Sequence, residues 1–532
     1  MEKSMSRRFV TSLLSTVFAL SIAAPASAKK PDFEFAPETI EKSGPPTKTM
    51  QKALKLYENK DYYSASIELH KVIEGESGDS DANKQRAEFW MGKTLYHLGF
   101  FSASLSYFDR IVQKGSAHRY YNATLKWLAS LSRQLPESAG ILKRIGKYDK
   151  SQLEQPALAK VKDELFYLLG RYHYREGNFK EAISLFGSVP TSSVFYARAK
   201  FMEGISYVRT YKAKPASRAF KALLRTAKEA PKAAEIKKFE ELSKLSLARV
   251  FYSVGQYKLA IKYYDLIPQA SRNWLQSLFE ASWAHFQRNN FSKALGNIHT
   301  LNAPYFENEF FPESLILKAV IYFQNCLYKQ AEASVKEFYA RYPAMKKELN
   351  AIIKGHKDPA DFYEYTIKIR KREANLPPEI GRYARSVLRD KVLSKTFKYV
   401  EELDRELKQV QNADPAWKAT AIAGVVLTDL TLQKSLAQNS AGDLAQRRIK
   451  RLVSEINELQ KQAIKVEYEI INGQKNKISA EMRKEQQAAA RQATGTGHIS
   501  PDDEHLYWPF DGQYWRDELG YYRVKLKNQC GR

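Results

Sequence analysis

The sequence has few cysteines and lacks the short motifs that mark common enzyme classes. Its 532 residues include 2 Cys, and no Cys-x-x-Cys pair occurs, which excludes metal and redox sites built on such pairs. A P-loop, a G-x-S-x-G elbow and an H-E-x-x-H helix are also absent. The 9 His residues are scattered over separate predicted helices. The sequence therefore predicts a protein that is not an enzyme and holds no cofactor or metal.

The N-terminus has the three parts of a secretory signal peptide. A charged start is followed by an apolar run from Phe9 to Ala24 and by Ala26-Ser27-Ala28, an A-x-A cleavage site. An uncleaved anchor is the alternative, but the run is shorter than the roughly 20 residues of a spanning helix. We expect residues 1–28 to be removed, the product to be periplasmic, and no transmembrane helix to remain.

Acidic residues are scarce relative to basic ones. The chain has 59 Asp and Glu against 85 Lys and Arg, a formal net charge of +26. A secreted chain does not meet chromosomes, so we expect no nucleic acid among its partners. Peptidoglycan, anionic lipid and acidic protein surfaces are the candidate polyanions. The alternative is that most of these charges solvate helix surfaces.

A pair of small residues twelve positions apart recurs seven times in the sequence. A turn residue stands five positions before each second member, and a large side chain stands three before it in six of the seven. Two antiparallel helices cross closely only where the side chains are small, so each pair predicts one helix hairpin. The pairs are Ala53/Ala65, Gly92/Ser104, Gly170/Ala182, Gly204/Ala216, Ala248/Ala260, Ser282/Ala294 and Ala319/Ala331.

This spacing resembles that of the tetratricopeptide repeat family, whose period is about 34 residues. Gly170 and Gly204 are 34 positions apart, and Pro343 lies at the family's closing position in the last unit. A long gap before Gly170 leaves room for one degenerate unit with Ala129 at its crossing. The resemblance implies an all-α, right-handed superhelical solenoid of antiparallel hairpins, about eight of them, over residues 48–343.

The segments around the predicted array have their own patterns. Residues 29–47 are rich in Pro and predict an extended linker. Residues 344–493 predict long helices, one from Pro378 to about Asn412, one ending near Leu432 and a third starting near Asp443. The third carries a heptad seam over residues 445–470, typical of a short coiled coil. We expect this seam to fold back on residues 421–432, with a parallel dimer as the alternative.

Residues 494–532 consist of a flexible break and an aromatic tail. Seven aromatic residues fall within residues 507–522, although aromatics make up 12% of the chain. Such a tail either docks on the body of the protein or binds a partner. Behind a secreted repeat array it resembles the periplasmic tetratricopeptide proteins of bacterial gliding-motility machinery, which implies a role as an envelope scaffold. The candidate recognition residues in the tail are Tyr507, Trp508, Phe510, Tyr514 and Trp515.

In the tetratricopeptide family the first helix of each hairpin lines a concave groove. The resemblance implies that aromatic and basic residues near each crossing face this groove, where they suit acidic or aromatic peptide segments of envelope proteins. The alternative is that the rings pack between helices and that the protein's own C-terminal helices fill the groove. The implied groove residues are Tyr57, Lys93, Tyr96, Arg171, Tyr174, Arg175, Arg209, Arg249, Tyr252, Phe286 and Phe323.

The two cysteines, Cys326 and Cys530, belong to a chain that we expect in an oxidising compartment. A disulfide between them would tie the tail to the turn of the last repeat. Two free thiols and an intermolecular bond are the alternatives, because the sequence gives no distance.

These observations predict a non-catalytic periplasmic scaffold that binds protein partners in a cell-envelope complex. One alternative is an anchor that binds a polyanion such as cell wall or anionic membrane. The other is a cell-wall enzyme or its activator, for which the helical and motif-poor region 344–532 offers no catalytic pattern.

Overall fold

A computed structural model describes residues 45–229, 234–306, 309–487 and 512–530, without the side chains of Ala234 and residues 480–487. These residues are mostly helical, and no strand occurs among them. They form two compact units. Unit 1 holds the described residues up to Ser243 together with 356–374 and 388–447, and unit 2 holds 244–355, 375–387 and those from Arg448 onward. The predicted leader and most of the predicted linker lie outside the described residues.

Eight hairpins follow one another in the described part of the chain, in agreement with the repeat pattern. In the degenerate third hairpin, α5 is followed by two short helices instead of one long one. The hairpin helices are α1 Lys48–Glu58, α2 Tyr62–Glu74, α3 Asp81–Leu98, α4 Phe101–Lys114, α5 Tyr121–Gln134, α6 Ile141–Ile145, α7 Lys150–Leu153, α8 Lys162–Arg175, α9 Phe179–Gly187, α10 Tyr196–Arg209, α11 Ala213–Glu229, α12 Ala234–Ser253, α13 Tyr257–Tyr264, α14 Trp274–Gln287, α15 Phe291–Leu301, α16 Pro312–Gln324 and α17 Tyr328–Gly355.

The turn between the two helices has the same backbone conformation in all seven regular hairpins. The turn residue predicted five positions before the second small residue has positive φ in each of them, a region that L side chains adopt rarely. Glycine fits this conformation without strain, and the other residues are held in it by the helices on either side. The seven residues are Lys60, Gly99, Gly177, Tyr211, Gly255, Asn289 and Cys326.

The small residues lie where the two helices of a hairpin cross. At Gly92 the carbonyl oxygen accepts a hydrogen bond of 2.7 Å from the Ser104 hydroxyl of the facing helix. An added Cβ at Gly204 would lie 2.5 Å from the ring of Phe220, which stands four residues after the second small residue of that pair. The glycine is therefore needed as space for the ring.

We expect Gly204→Ala to destabilise unit 1 by up to about 2 kcal/mol. Overpacking a core costs about 1–3 kcal/mol, and the gain in helix propensity offsets about 1 kcal/mol of it. Urea unfolding followed by circular dichroism measures the change. Gly424→Ala is the matched control, because no atom lies within 4 Å of a Cβ at this exposed helical glycine. A Gly204→Ala protein as stable as the Gly424→Ala protein would contradict the crossing argument.

The end of the repeat array differs from the prediction. Pro343 was expected to close the last unit, but α17 runs through it from Tyr328 to Gly355. Buried residues continue on both sides of the proline, including Tyr342, Met345 and Leu349. Packing of this face keeps the helix intact despite the backbone hydrogen bond that proline removes.

Five further helices follow, and two of the predicted boundaries are wrong. The helix expected from Pro378 to Asn412 is two helices, and the second begins at Lys391. The Asp390 side chain caps it by accepting hydrogen bonds from the amides of Val392 and Leu393. The helices expected to end near Leu432 and to start near Asp443 are one continuous helix. The five helices are α18 Pro359–Lys371, α19 Pro378–Val387, α20 Lys391–Gln411, α21 Pro415–Lys418 and α22 Ala421–Gln487.

Continuity of α22 rules out the expected fold-back of the heptad seam on residues 421–432. Gly442, next to the predicted break, is a contact point instead, since a Cβ there would lie 1.7 Å from the carbonyl oxygen of Pro359. The seam residues themselves are buried, as expected for a paired helix. They are Ala445, Ile449, Leu452, Ile456, Leu459, Ala463, Val466 and Ile470.

The partner of the seam in unit 2 is α17, which runs antiparallel to α22. Lys346 donates to Gln460 at 2.8 Å, Tyr339 to Glu467 at 3.3 Å, and Gln474 near the end of α22 donates to Glu332 near the start of α17. The facing side of α17 has the same alternation of three and four residues. Its buried residues are Val335, Phe338, Tyr342, Met345, Leu349 and Ile352.

Candidate protein-interaction surface

Four aromatic rings and a lysine meet on the first helices of the N-terminal hairpins in unit 1. The Lys93 ammonium lies 3.6 Å from the ring centroid of Trp90 and 5.2 Å from that of Tyr57. Tyr57 and Trp90 meet edge to face at 4.6 Å, and Tyr96 packs on Trp127 at 5.2 Å. Rings at these distances attract an ammonium through their π faces. The helices α1 and α3 therefore present one continuous aromatic and basic surface, and the buried Trp127 of α5 packs against it.

We call the residues Tyr57, Trp90, Lys93, Tyr96 and His97 the Lys93 surface. His97 is exposed and the other four are partly exposed, so each of the five residues keeps part of its surface in contact with solvent. Partly buried rings offer apolar area to a ligand, and because their side chains are already ordered in the folded protein, binding costs little further conformational entropy. The ammonium can donate to a carboxylate. This combination suits a peptide segment with acidic and aromatic side chains.

The arginines predicted for the groove on α8 bind a carboxylate of the same chain. Arg171 and Arg175 both form ion pairs with Glu137, and Lys395 of α20 reaches the same carboxylate at 2.9 Å. The Glu137 side chain is 8% exposed. Burial by itself would raise the pKa of Glu137, but Arg171, Arg175 and Lys395 hold it at about 2. Three cations on one buried carboxylate join the turn after α5 to α8 and α20.

The C-terminal helices of unit 1 also dock on second helices of the hairpins. Glu406 of α20 accepts hydrogen bonds from the amides of Ser102 and Ala103 at the start of α4. Burial raises the pKa of Glu406 to about 7, against the opposing effect of these amides. The Trp417 indole donates to the Ser66 hydroxyl of α2 at 3.0 Å. These contacts lie on α2 and α4, whereas the Lys93 surface lies on α1 and α3.

The remaining predicted groove residues pack mainly against neighbours in their own unit. In unit 1, Tyr174 packs on Phe179 at 5.5 Å and the exposed Arg209 lies over the same ring. In unit 2, the buried Glu280 binds Arg249 through two hydrogen bonds of 2.7 and 2.8 Å. The last three rings pack on rings of the same or the following helix. They are Tyr252 on Tyr257, Phe286 on Trp283 and Phe291, and Phe323 on Tyr328.

The described part of the tail, residues 512–530, docks on α15 and its neighbours in unit 2. Its backbone amides donate from Gly520 to the Thr300 hydroxyl, from Val524 to the Ser292 carbonyl and from Gln529 to the Asn325 carbonyl, at 2.9–3.2 Å. Lys293 donates to the Gly520 carbonyl at 2.6 Å. An added Cβ at Gly296 would lie 1.7 Å from the Tyr522 carbonyl oxygen, so this glycine gives the tail its close approach.

The predicted recognition residues of the tail have different surroundings. Tyr514 stacks on His299 at 4.9 Å, whereas Trp515 is 56% exposed. Tyr507, Trp508 and Phe510 lie outside the described residues. At the end of the tail Cys530 forms a disulfide with Cys326, with 5.1 Å between the Cα atoms. The bond attaches the tail to the turn between α16 and α17.

Sequence reasoning missed the two tryptophans that complete the aromatic cluster. Trp90 and Trp127 each stand two positions before the crossing residue of consecutive hairpins, Gly92 and Ala129. A comparison of that position between units would have found them. Glu137 had no such signal, because it lies in a 3-10 turn of the degenerate unit, Glu137–Ala139, where the repeat gives no register.

Two kinds of feature are absent from the described residues. No helix in this part of the chain has the length and apolar composition needed to span a bilayer. Within the same residues no three His, Cys, Asp or Glu side chains cluster as metal ligands would.

No family profile and no curated protein matches the sequence. Among solved structures, a tetratricopeptide repeat protein from Parabacteroides merdae is 12% identical, covering 55% of this chain and 91% of that one at a TM-score of 0.25. The apo form of RapI is 14% identical, covering 65% of this chain and 98% of that one at a TM-score of 0.34. The APC/C hetero-tetramer Cut9-Hcn1 is 12% identical, covering 80% of this chain and 92% of that one at a TM-score of 0.21. Because these TM-scores are low, the assignment of the hairpins rests on the repeat geometry of this chain.

Proposed function

We propose that this chain of tetratricopeptide-type hairpins is a non-catalytic scaffold that binds segments of partner proteins through its Lys93 surface. The observation that carries the proposal is the partly exposed cluster around Lys93, assembled from two successive first helices, α1 and α3. Repeat hairpins stack side by side, so the same position in successive units lines one extended surface. An extended or helical peptide segment is the ligand that such a surface fits.

The chemistry of the cluster indicates the kind of segment. Trp90 and Tyr57 supply apolar area, and Lys93 supplies a charged donor that the rings hold in place. Aromatic residues and paired charges account for most of the binding energy in many protein interfaces. We therefore propose a ligand segment that carries Asp or Glu next to an aromatic side chain.

We further propose that the scaffold works in the periplasm, within a cell-envelope complex. The signal-peptide pattern of residues 1–28 supports this location. The resemblance of the chain to adventurous gliding motility protein T supports a complex of the gliding-motility machinery. The net charge of +26 favours a second candidate function, an anchor on an anionic surface such as peptidoglycan.

Photo-crosslinking in intact cells tests these proposals. A photoreactive amino acid at position 90 should give a discrete covalent adduct with an envelope protein. Lys93→Glu should reduce that adduct about tenfold, because a charge-assisted hydrogen bond is worth about 1.5–3 kcal/mol. Lys93→Arg, which keeps the charge, should retain most of it.

Two controls make the result specific. The probe at position 211 reports random collisions, since Tyr211 is 86% exposed and lies at the turn before α11. Lys214→Glu removes the same charge at another exposed position. Equal adducts at positions 90 and 211 would refute the Lys93 surface, and adducts with cytoplasmic proteins would refute the envelope location. Adducts with peptidoglycan fragments alone would favour the anchor.

A further inference from the structure

The outer face of α22 carries a row of exposed apolar side chains in unit 2. Ile464, Tyr468, Ile471 and Ile478 are 56, 64, 56 and 55% exposed. They are separated by four, three and seven positions, and Lys475 occupies the position between the last two. We call these four residues the outer stripe. It is distinct from the buried seam that packs on α17.

The spacing of the outer stripe is that of a second coiled-coil seam. Side chains alternating by four and three residues form a straight row along a helix that pairs with another helix. At 100° per residue, Ile464 and Ile471 lie roughly 100° around the helix from the buried Ala463 and Ile470 side. One helix thus presents two seams, and α17 covers one of them.

A second copy of this chain is the occupant that the outer stripe fits best. A heptad row on one helix pairs with a heptad row on another helix, and the outer stripe of a second copy supplies one. The charges beside it are of both signs, with Lys465 and Glu467 on its two flanks and Lys475 within it, so an approaching copy meets attraction as well as repulsion. The residues around the outer stripe therefore lack the strong positive charge of the protein as a whole.

Lys475 decides the direction of the pair. In a parallel pair each residue of the row faces its own copy, which would bury Lys475 against a second Lys475. In an antiparallel pair Lys475 faces an apolar residue of the partner, over which its methylene chain can pack while the ammonium reaches water. We propose that two copies of this protein associate through the outer stripes of α22, in antiparallel orientation.

The association should be weak. Four side chains with one interrupting lysine bury less than the roughly 800 Å² per partner of a standard interface. A dissociation constant in the range of roughly 1–100 μM follows for such a small contact. The dimer thus forms at high local concentration, as in an assembly.

Sedimentation equilibrium of the full mature chain tests the association. The wild type should form a concentration-dependent dimer, Ile471→Lys should weaken it at least tenfold, and Lys475→Leu should strengthen it. Leu432→Lys on the same helix is the matched control, because Leu432 is 59% exposed and outside the stripe. A wild type that stays monomeric at several hundred micromolar overturns the proposal. The proposal is also overturned if the protein is a monomer and Ile471→Lys lowers its melting temperature, because a segment of the same chain then covers the stripe.

Spin labels at single sites test the orientation. Labels at positions 465, 472 and 479 lie beside the stripe and leave its side chains intact. In a parallel dimer all three give similar short distances between the two copies. In an antiparallel dimer at least one of the end positions, 465 or 479, is displaced along the axis by about 20 Å, from the 1.5 Å rise per residue. Equal short distances at the three sites would overturn the antiparallel arrangement.

Discussion

Replacing Glu137 by glutamine should destabilise unit 1 by about 3–5 kcal/mol. The substitution keeps the shape of the side chain but leaves Arg171, Arg175 and Lys395 without the buried carboxylate that they share. Removing one partner from a buried ion pair has this magnitude because the remaining charge stays desolvated. Urea unfolding at pH 7 measures the loss. Glu458→Gln removes an exposed carboxylate from its pair with Lys461 and should change stability by less than about 1 kcal/mol.

The dependence on pH distinguishes the ion pairs from a general packing defect. The pKa of Glu137 is lowered from its usual value of 4.5 to about 2 in the folded protein. The carboxylate therefore contributes its stabilisation above pH 4.5, and the contribution disappears as the pH falls from about 4.5 to about 2. The difference in free energy of unfolding between wild type and Glu137→Gln should decrease by roughly 3 kcal/mol over that range. A gap independent of pH would show that the charge is not its source.

Loss of the disulfide, in Cys530→Ser, should lower the free energy of unfolding by up to about 5 kcal/mol. The bond closes a loop with a sequence separation of 204, and its removal returns that freedom to the unfolded chain. In the folded protein the tail should detach more often. Hydrogen exchange of the Gly520, Val524 and Gln529 amides, which donate to α15, α16 or their ends, should accelerate.

Three comparisons isolate the effect of the bond. Cys326→Ser should match Cys530→Ser, and the double variant should be no less stable than either. Wild-type protein in reductant should show the same faster exchange. If the double variant keeps the wild-type stability and protection, the tail is held by its hydrogen bonds alone and the prediction fails.

The repeat pattern predicted the local geometry of the hairpins because each hairpin is specified by neighbours in sequence. The twelve-residue pairs are buried at the crossings, and the turn residue between them has positive φ whether it is glycine, as at Gly99, or a larger residue, as at Tyr211 and Cys326. These features depend on about 15 residues at a time, so one sequence contains all the information that they need.

Contacts between distant segments were not predictable in the same way. The sequence predicted that the last repeat closes at Pro343 and that a new helix starts near Asp443, yet the chain is helical through both points and packs there against segments far away in sequence. The heptad seam indicated that α22 pairs with something but did not identify α17. For the candidate surface, the sequence named Tyr57, Lys93 and Tyr96 from the repeat register. It could not show that Arg171 and Arg175 form ion pairs with Glu137, because the degenerate unit does not follow the repeat spacing and its residues cannot be aligned with the other units.

The docked tail is held largely by groups that every amino acid possesses. Amides of Gly520, Val524 and Gln529 and the carbonyl of Gly520 make its hydrogen bonds, and Cys530 fixes its end. Exchanging one side chain for another between these points leaves the bonds in place, whereas adding or removing a residue moves every later amide away from its acceptor. Selection should therefore act more strongly on the number of residues between Gly520 and Cys530 than on their side chains.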